Sequence, residues 1–149
     1  MFQKMNQEVP CWIKPEAYVK RYEVAAFIEN KTSGADDLND LKVVNRGDAN
    51  WDEDLVRQLY IDDLDERLVD EMVKHYDDEG LLGKKSEAIL VEGINACETI
   101  NEIKGPITAP GYEGTDTVRG ITGLPAEYNR EIVIDGEEYT LSLNGFHSP

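Results

Sequence analysis

Histidine, cysteine and long apolar stretches are scarce in this chain of 149 residues. The two cysteines, Cys11 and Cys97, stand far apart and in no spacing typical of a zinc site or a disulfide framework, so both are predicted to be buried or partly buried thiols. No stretch approaches the roughly 18 apolar residues of a membrane span, and the first residues form no apolar export signal. The sequence therefore predicts a cytoplasmic protein.

Two histidines leave little material for nucleophilic catalysis, which needs a serine or cysteine beside a histidine that a third group orients. His75 lies near the edge of an acidic segment, where a partly exposed side chain is expected, and His147 is two residues from the end of the sequence. No pair among the 31 acidic residues stands out as an acid and a base. The sequence therefore predicts no enzyme and no catalytic residue, cofactor or metal site. An enzyme with an unrecognised carboxylate site is the last alternative.

Basic side chains are outnumbered, because 15 lysines and arginines face 31 acids and give a net charge of −16. Such a surplus repels nucleic acid and anionic membranes and favours basic partners. The length is enough for one domain that buries roughly two-thirds of its unfolded surface, and a hydrophobic content of 40% agrees with a packed core. The chain is predicted to be a single acidic domain over 1–149.

The acidic surplus is concentrated in residues 51–80, which hold 12 of the 31 acids. Apolar residues step mainly by four here, which predicts helices over 52–60 and 63–79. Asp62 is expected to cap the second helix, and Gly80 to end it in a left-handed conformation. At about 100° per residue, several acids fall opposite the apolar face of this helix. They form an acidic stripe of Asp63, Glu66, Asp70 and Asp77.

Two fragments resemble known motifs but lack the residues that make those motifs specific. Residues 48–54 resemble part of an EF-hand calcium loop, yet the glycine of position 6 and the glutamate of position 12 are missing. Helix capping by Asp48 or Asn50 explains this cluster better, so no tight calcium site is expected. Residues 80–86 contain the glycines and lysine of a phosphate loop in the wrong spacing, which excludes that motif.

The remaining segments predict an α+β fold with three to four helices and a small antiparallel sheet that includes a C-terminal hairpin. Residues 1–14 are predicted to be an irregular N-terminal arm. Residues 15–31 favour a helix that begins with a proline, with a strand over 22–28 as the alternative. A short strand is predicted over 41–44. A further helix is favoured over 86–103, with a strand at 88–92 as the alternative.

The last 45 residues combine a loop and a hairpin. Residues 105–125 contain five glycines and three prolines and are predicted to form a long loop. Apolar residues alternate on both sides of Asp135-Gly136, which predicts a tight β-hairpin over 130–144. Because a hairpin is marginal alone, it should join the sheet or pack across a helix, and Phe146 should complete its core.

The charge pattern predicts a protein that binds and inhibits a basic partner. In composition and size, but in no shared motif, the chain resembles the small acidic inhibitors that imitate DNA and that phages and plasmids direct against host defence systems. That resemblance implies an anionic surface that occupies a basic, nucleic-acid-binding groove of another protein, with no direct contact to nucleic acid or membrane. The predicted partner-binding residues are Asp52, Glu53, Asp54, Asp63, Glu66, Asp70, Asp77 and Asp78.

The number of acids in the stripe is too small for a complete imitation of DNA, and an alternative stays open. Duplex DNA carries one charge per ~1.7 Å, so ~21 Å of helix would have to carry about 12 charges, whereas the acidic stripe offers four. A homodimer would supply more acids. The alternative is a small adaptor or assembly protein without catalytic activity, whose acids serve solubility and are balanced by pairs such as Asp63 with Arg67 and Asp70 with Lys74.

Overall fold

Two antiparallel sheets organise the fold in a computed structural model that describes residues 5–32, 40–107 and 116–149. The strands of these ranges are β1 (Asn6–Ile13), β2 (Lys42–Asn50), β3 (Lys85–Ile94), β4 (Asn129–Ile134), β5 (Glu137–Ser142) and β6 (Phe146–His147). A four-stranded sheet has the spatial order β2, β3, β1 and β6, and β4 pairs with β5 in a separate two-stranded sheet. The predicted α+β class with a small antiparallel sheet is confirmed.

The described ranges contain one helix more than the sequence patterns predicted. The α-helices are α1 (Arg21–Thr32), α2 (Glu53–Tyr60), α3 (Glu66–Asp78), α4 (Ala96–Ile103) and the single-turn α5 (Val118–Ile121). The helix predicted over 15–31 is present, but it starts as a 3-10 helix over Pro15–Lys20 before α1 continues it. None of these helices is long and apolar enough to cross a membrane.

The two acidic helices are confirmed as α2 and α3, with different caps. Asp52 caps α2, since its carboxylate accepts the backbone N–H of Leu55 at 2.9 Å; the two upstream residues expected to do so lie in β2. Asp65, not Asp62, caps α3 and accepts a first-turn N–H. Gly80 follows α3 with a φ of 72°, which is the predicted left-handed conformation.

The irregular arm predicted over 1–14 is wrong in its described part, because β1 lies in the interior of the sheet. Val9, Cys11 and Ile13 alternate on its buried face. Pro10 is tolerated there because its nitrogen faces away from β3: a hydrogen bond from Asn95 to the carbonyl of Met5 sets the ladder so that the odd-numbered residues of β1 bond to β3. The proline hid this strand in the sequence.

The helix favoured over 86–103 is wrong in its first half, where β3 runs through residue 94 and the alternative strand is correct. Gly93 fits a strand in close contact, because a Cβ there would lie 2.6 Å from the carbonyl oxygen of Asp40 and 2.6 Å from Leu41 Cδ2. Asn95, at a φ of 54°, then turns the chain into α4. The apolar spacing of this segment fits both periods, so it could not decide between them.

Two stretches that were predicted to be irregular contain regular structure. The strand predicted over 41–44 continues to Asn50 as β2, past a shift in register after Val43. The loop predicted over 105–125 is interrupted by α5, and residues 108–115 lie outside the described residues.

Both cysteines are confirmed as free thiols: Cys11 is buried and Cys97 is half-buried.

The hairpin predicted over 130–144 is confirmed as β4 and β5, with Asp135 and Gly136 at φ of 51° and 84°. It does not join the larger sheet; Leu141 and Leu143 pack with buried residues of α2 and α3, as in the second expected arrangement. Phe146 does not complete that core. It lies in a separate core with β1, β3, α1 and α4, so the segment between Leu143 and Phe146 connects the two cores.

Replacing Gly136 by valine should lower the melting temperature by several degrees. The φ of 84° favours glycine, and nothing lies within 4 Å of the position that a Cβ would take, so the whole effect should be backbone strain. At this chain length each kcal/mol lost corresponds to about 2–4 °C. Gly47→Val is the matched control, because Gly47 lies in β2 with equally open surroundings and no positive φ. Equal melting temperatures for the two variants would contradict the expectation.

Candidate active site

A cavity of about 230 Å³ lies where the hairpin strand β5 and the strand β6 meet α2 and α3. His147, which no sequence pattern singled out, lines this cavity and is 8% exposed. Its ring packs edge-on against Tyr60, with 4.8 Å between centroids, and lies 6.0 Å from the Trp12 ring. The two aromatic neighbours fix the orientation of the imidazole.

The imidazole of His147 is neutral at physiological pH. Burial lowers its pKa to about 4, and the positive charges of Lys14, Arg119 and Lys104 act in the same direction. A neutral imidazole has one ring nitrogen with a free lone pair, which is the form that attacks an electrophile. The cavity therefore holds an imidazole in the protonation state that can act as a nucleophile.

Two cations line the cavity beside this histidine. Arg119 is 6% exposed, and its guanidinium donates to the carbonyl of Phe146 at 3.0 Å and to that of Gly105 at 2.8 Å. Lys104 donates to Ser148 Oγ at 3.1 Å. Burial lowers the pKa of both cations, and the charge of Arg119 further lowers that of Lys104. Buried charges act more strongly than exposed ones, so these two cations weigh more at this site than in the net charge of the chain.

A third cation lies under Tyr60. The Lys14 side chain is wholly buried, and its Nζ lies 3.2 Å from the Tyr60 hydroxyl and 3.7 Å from Glu16. Glu16 is equally buried and accepts hydrogen bonds from the Tyr76 hydroxyl at 2.9 Å and from the Gly145 N–H at 3.0 Å. One carboxylate therefore holds both the lysine and the segment that leads into His147.

Asn144 supplies a polar group with unused capacity. Its side-chain nitrogen donates to the carbonyl of Ile107 at 3.1 Å. Its Oδ1 is buried and has no hydrogen-bond partner among the described residues, although Asn144 lines the cavity. A buried acceptor without a partner is unfavourable unless a ligand or water supplies a donor. The position therefore suits a ligand hydroxyl or amine.

His75 is buried, not partly exposed as predicted. Burial lowers its pKa to about 4, and neither ring nitrogen has a hydrogen-bond partner in the described part of the chain. It lies on the apolar side of α3 and does not line the cavity. His75 is therefore a core residue, and His147 is the histidine with a site.

The eight predicted partner-binding residues are all exposed on α2, α3 and their flanks. Arginines neutralise part of this surface: Arg57 pairs with Glu53 and with Asp70 on the neighbouring helix, and Arg130 of the hairpin pairs with Asp78. Asp70 thus pairs with Arg57 and not with Lys74 as predicted. The predicted pair of Asp63 with Arg67 is also replaced, because Arg67 bonds to Asp65 and Asp135. Their binding of a basic partner stays a prediction.

One of these acids belongs to the cavity. Asp63 lines it together with the cations, and its charge acts to raise the pKa of Lys104. A second cavity of about 320 Å³ lies between α2 and α3, next to Leu64, and its described lining holds neither histidine nor lysine. Within the described ranges, no three His, Cys, Asp or Glu side chains are grouped as metal ligands. Of these two cavities, the one at His147 combines a histidine with cations.

Sequence reasoning missed Lys14, Tyr60, Arg119, Asn144 and His147. They come from distant parts of the chain and have no fixed spacing. One signal was available: no charged side chain follows Glu138 in a chain of 31% charged residues. All residues from Leu141 to Ser148 are buried, which is what such an uncharged segment indicates.

The fold matches solved structures of nucleoside diphosphate kinases. The enzyme of Halobacterium salinarum in complex with CDP superposes with a TM-score of 0.63 at 19% identity, over 97% of this chain and 77% of that one. The Aquifex aeolicus enzyme gives 0.63 at 15% identity, over 97% and 85%. The Borrelia burgdorferi enzyme with bound vanadate and ADP gives 0.52 at 18% identity, over 96% and 78%. No family model and no curated protein matches the sequence.

These matches correct the functional prediction. An acidic inhibitor that imitates DNA, with no catalytic activity, is wrong, because these structural neighbours are enzymes. The error came from giving an exposed charge surplus more weight than buried residues that no local pattern revealed. The chain shares the ferredoxin-like fold of the nucleoside diphosphate kinases.

Proposed function

We propose that this protein is a phosphotransferase in which His147 accepts the terminal phosphoryl group of a nucleoside triphosphate and passes it to a nucleoside diphosphate. The observation that carries the proposal is the neutral, buried imidazole of His147 in a cavity lined by Arg119 and Lys104. A nucleophile surrounded by cations suits an anionic electrophile, and a phosphoryl group is the common one.

The transfer needs two steps of the same kind. A ring nitrogen of His147 attacks the terminal phosphorus, a P–N bond forms, and the P–O bond to the leaving diphosphate breaks. In the second step a terminal oxygen of the acceptor diphosphate attacks the phosphorus, and the P–N bond breaks. Arg119 and Lys104 line the cavity, and the charge of Lys14 also acts on His147. These three cations can stabilise the negative charge on the phosphoryl oxygens in both steps.

The rest of the cavity suits a nucleoside. Leu64 and Met72 give it apolar surface against which a base can pack, and the buried Oδ1 of Asn144 can accept from a sugar hydroxyl. The structural neighbours were solved with CDP in one case and with ADP and vanadate in another. A nucleoside diphosphate is therefore the ligand that we assign to this cavity.

The test is to incubate the purified protein with magnesium and ATP labelled in the γ-phosphate. Label should enter the chain in a form that is lost in acid and kept in base, as expected for a phosphorus–nitrogen bond. Adding unlabelled CDP should move the label from the protein to CTP. Label that never enters the chain, or that enters a hydroxyl or carboxylate, would refute the proposal.

The rate of phosphorylation should stay nearly constant between about pH 8 and pH 5. His147 has a pKa of about 4, so its reactive neutral form persists until the pH approaches that value. An imidazole of ordinary pKa would already have lost half of its neutral form at pH ~6.5. The measurement is the single-turnover rate of labelling, corrected for the ionisation of the nucleotide itself. A loss of half the corrected rate near pH 6.5 would contradict the assignment.

Stability sets the acid limit of that experiment. Unfolded histidine binds its proton near pH 6.5, whereas His75 and His147 do so only near pH 4 when folded. The unfolded state therefore binds more protons between these values, and folding stability falls as the pH falls from 6.5 to 4. A circular dichroism spectrum at each pH identifies the range in which the protein is still folded.

A further inference from the structure

The hairpin strand β5 has a free edge that faces the cavity. Its partner β4 covers one edge, and no other strand of the described residues pairs with it. The Leu143 N–H donates to the carbonyl of Tyr128 at 3.0 Å, which fixes the alternation of the ladder. Hydrogen-bonded pairs recur every second residue, so Leu141 and Tyr139 bond to β4 whereas Thr140 and Ser142 do not.

Thr140 and Ser142 therefore point their main-chain N–H and C=O groups away from β4. Both residues line the cavity. Ser142 is 5% exposed, and its hydroxyl is already bonded to Asn129. No hydrogen bond among the described residues outside the strand ladders uses the main-chain groups of either residue. Ser142 is buried and Thr140 beside it is exposed. Buried main-chain groups are nearly always paired, so the groups of Ser142 indicate a ligand or ordered water at the edge of β5.

We propose that this edge recognises the base of the nucleotide. The C=O of Thr140 and the N–H of Ser142 follow one another along the edge and offer an acceptor beside a donor. A nucleobase presents the complementary pair on its Watson–Crick edge, as adenine does with its amino group and neighbouring ring nitrogen. The proposal rests on the proposed function, because it assumes that a nucleotide occupies the cavity. It adds that the base is bound by directed hydrogen bonds and not by apolar contact alone.

The ligand test compares ADP with 1,N6-etheno-ADP, in which a two-carbon bridge blocks the Watson–Crick edge while the sugar and phosphates are unchanged. Two ordinary hydrogen bonds correspond to about a 5- to 150-fold difference in affinity. We expect the parent protein to bind ADP more tightly by a factor in this range, measured by calorimetry. Equal affinities would overturn the proposal.

The protein test removes a donor from the edge without removing a ladder bond. Ser142→Pro deletes the outward N–H and should reduce the preference for ADP over etheno-ADP severalfold. Ser142→Ala deletes the hydroxyl alone and should keep that preference. Glu138→Pro is the matched control, because Glu138 has the same outward orientation on β5 but does not line this cavity.

Ser142 is buried, and a proline at a buried position can unfold the protein. A second variant of the same edge is therefore needed. Thr140→Pro changes an exposed position of the same edge, and its ring takes the place of the outward N–H beside the carbonyl that we assign to the base. A preference for ADP that survives in both proline variants, with folding intact, would overturn the proposal. If ADP and etheno-ADP bind equally and both accept phosphoryl groups from the labelled protein, the edge proposal alone fails. If neither nucleotide binds, the proposed function itself fails.

Discussion

Replacing His147 by glutamine should abolish labelling of the protein by ATP and transfer to CDP. The residue supplies the nitrogen that forms the P–N bond, and glutamine has no nucleophile to replace it. Removal of a nucleophile from an enzyme costs roughly 10⁴-fold or more in rate. The affinity for ADP should change little, because the cations, Asn144 and the apolar wall remain.

His75 provides the control for this experiment, because it is the other of the two histidines in the chain. His75→Leu replaces a buried ring whose nitrogens have no described partner by an apolar group of similar size, so the fold should be kept. This variant should label like the parent. Acid-labile label that disappears with His75 and persists without His147 would reject His147 as the acceptor.

Local patterns predicted the elements whose information is local. The hairpin was identified from Asp135-Gly136 and its flanking alternation, and α2 and α3 from apolar residues spaced by four. β1 was missed because its pairing with β3 depends on residues about 80 positions away, and because Pro10 is acceptable only when its nitrogen faces away from that partner. The sheet thus decided what the segment alone could not.

The site was missed for a related reason. Net charge counts every exposed carboxylate equally, but the potential in a cavity depends on a few buried charges at short distance. Lys14 and Arg119 give no pattern in sequence, and only the packing of β1, α5 and β6 brings them to His147. Asp63 was selected as part of an acidic stripe, and it does line the cavity, where its charge acts on Lys104.

Lys14 can act in catalysis or hold the fold, and replacement of Lys14 by methionine alone would not separate these roles. The variant should lose phosphorylation, because a cation next to the Tyr60 hydroxyl and His147 is gone. It should also be destabilised by about 3–5 kcal/mol, because the wholly buried carboxylate of Glu16 loses its partner. A low rate from this variant is therefore ambiguous.

The double variant Lys14→Met with Glu16→Gln resolves the ambiguity. A neutral amide in place of the carboxylate removes the unpaired buried charge and still offers an oxygen to the Tyr76 hydroxyl and the Gly145 N–H. Much of the lost stability should return, as measured by urea unfolding. The phosphorylation rate should stay about 10²–10³-fold below that of the parent, the range expected when one group that stabilises transition-state charge is removed. If stability and rate return together, Lys14 acts through the fold, and Arg119 and Lys104 are left to stabilise the transferred phosphoryl group.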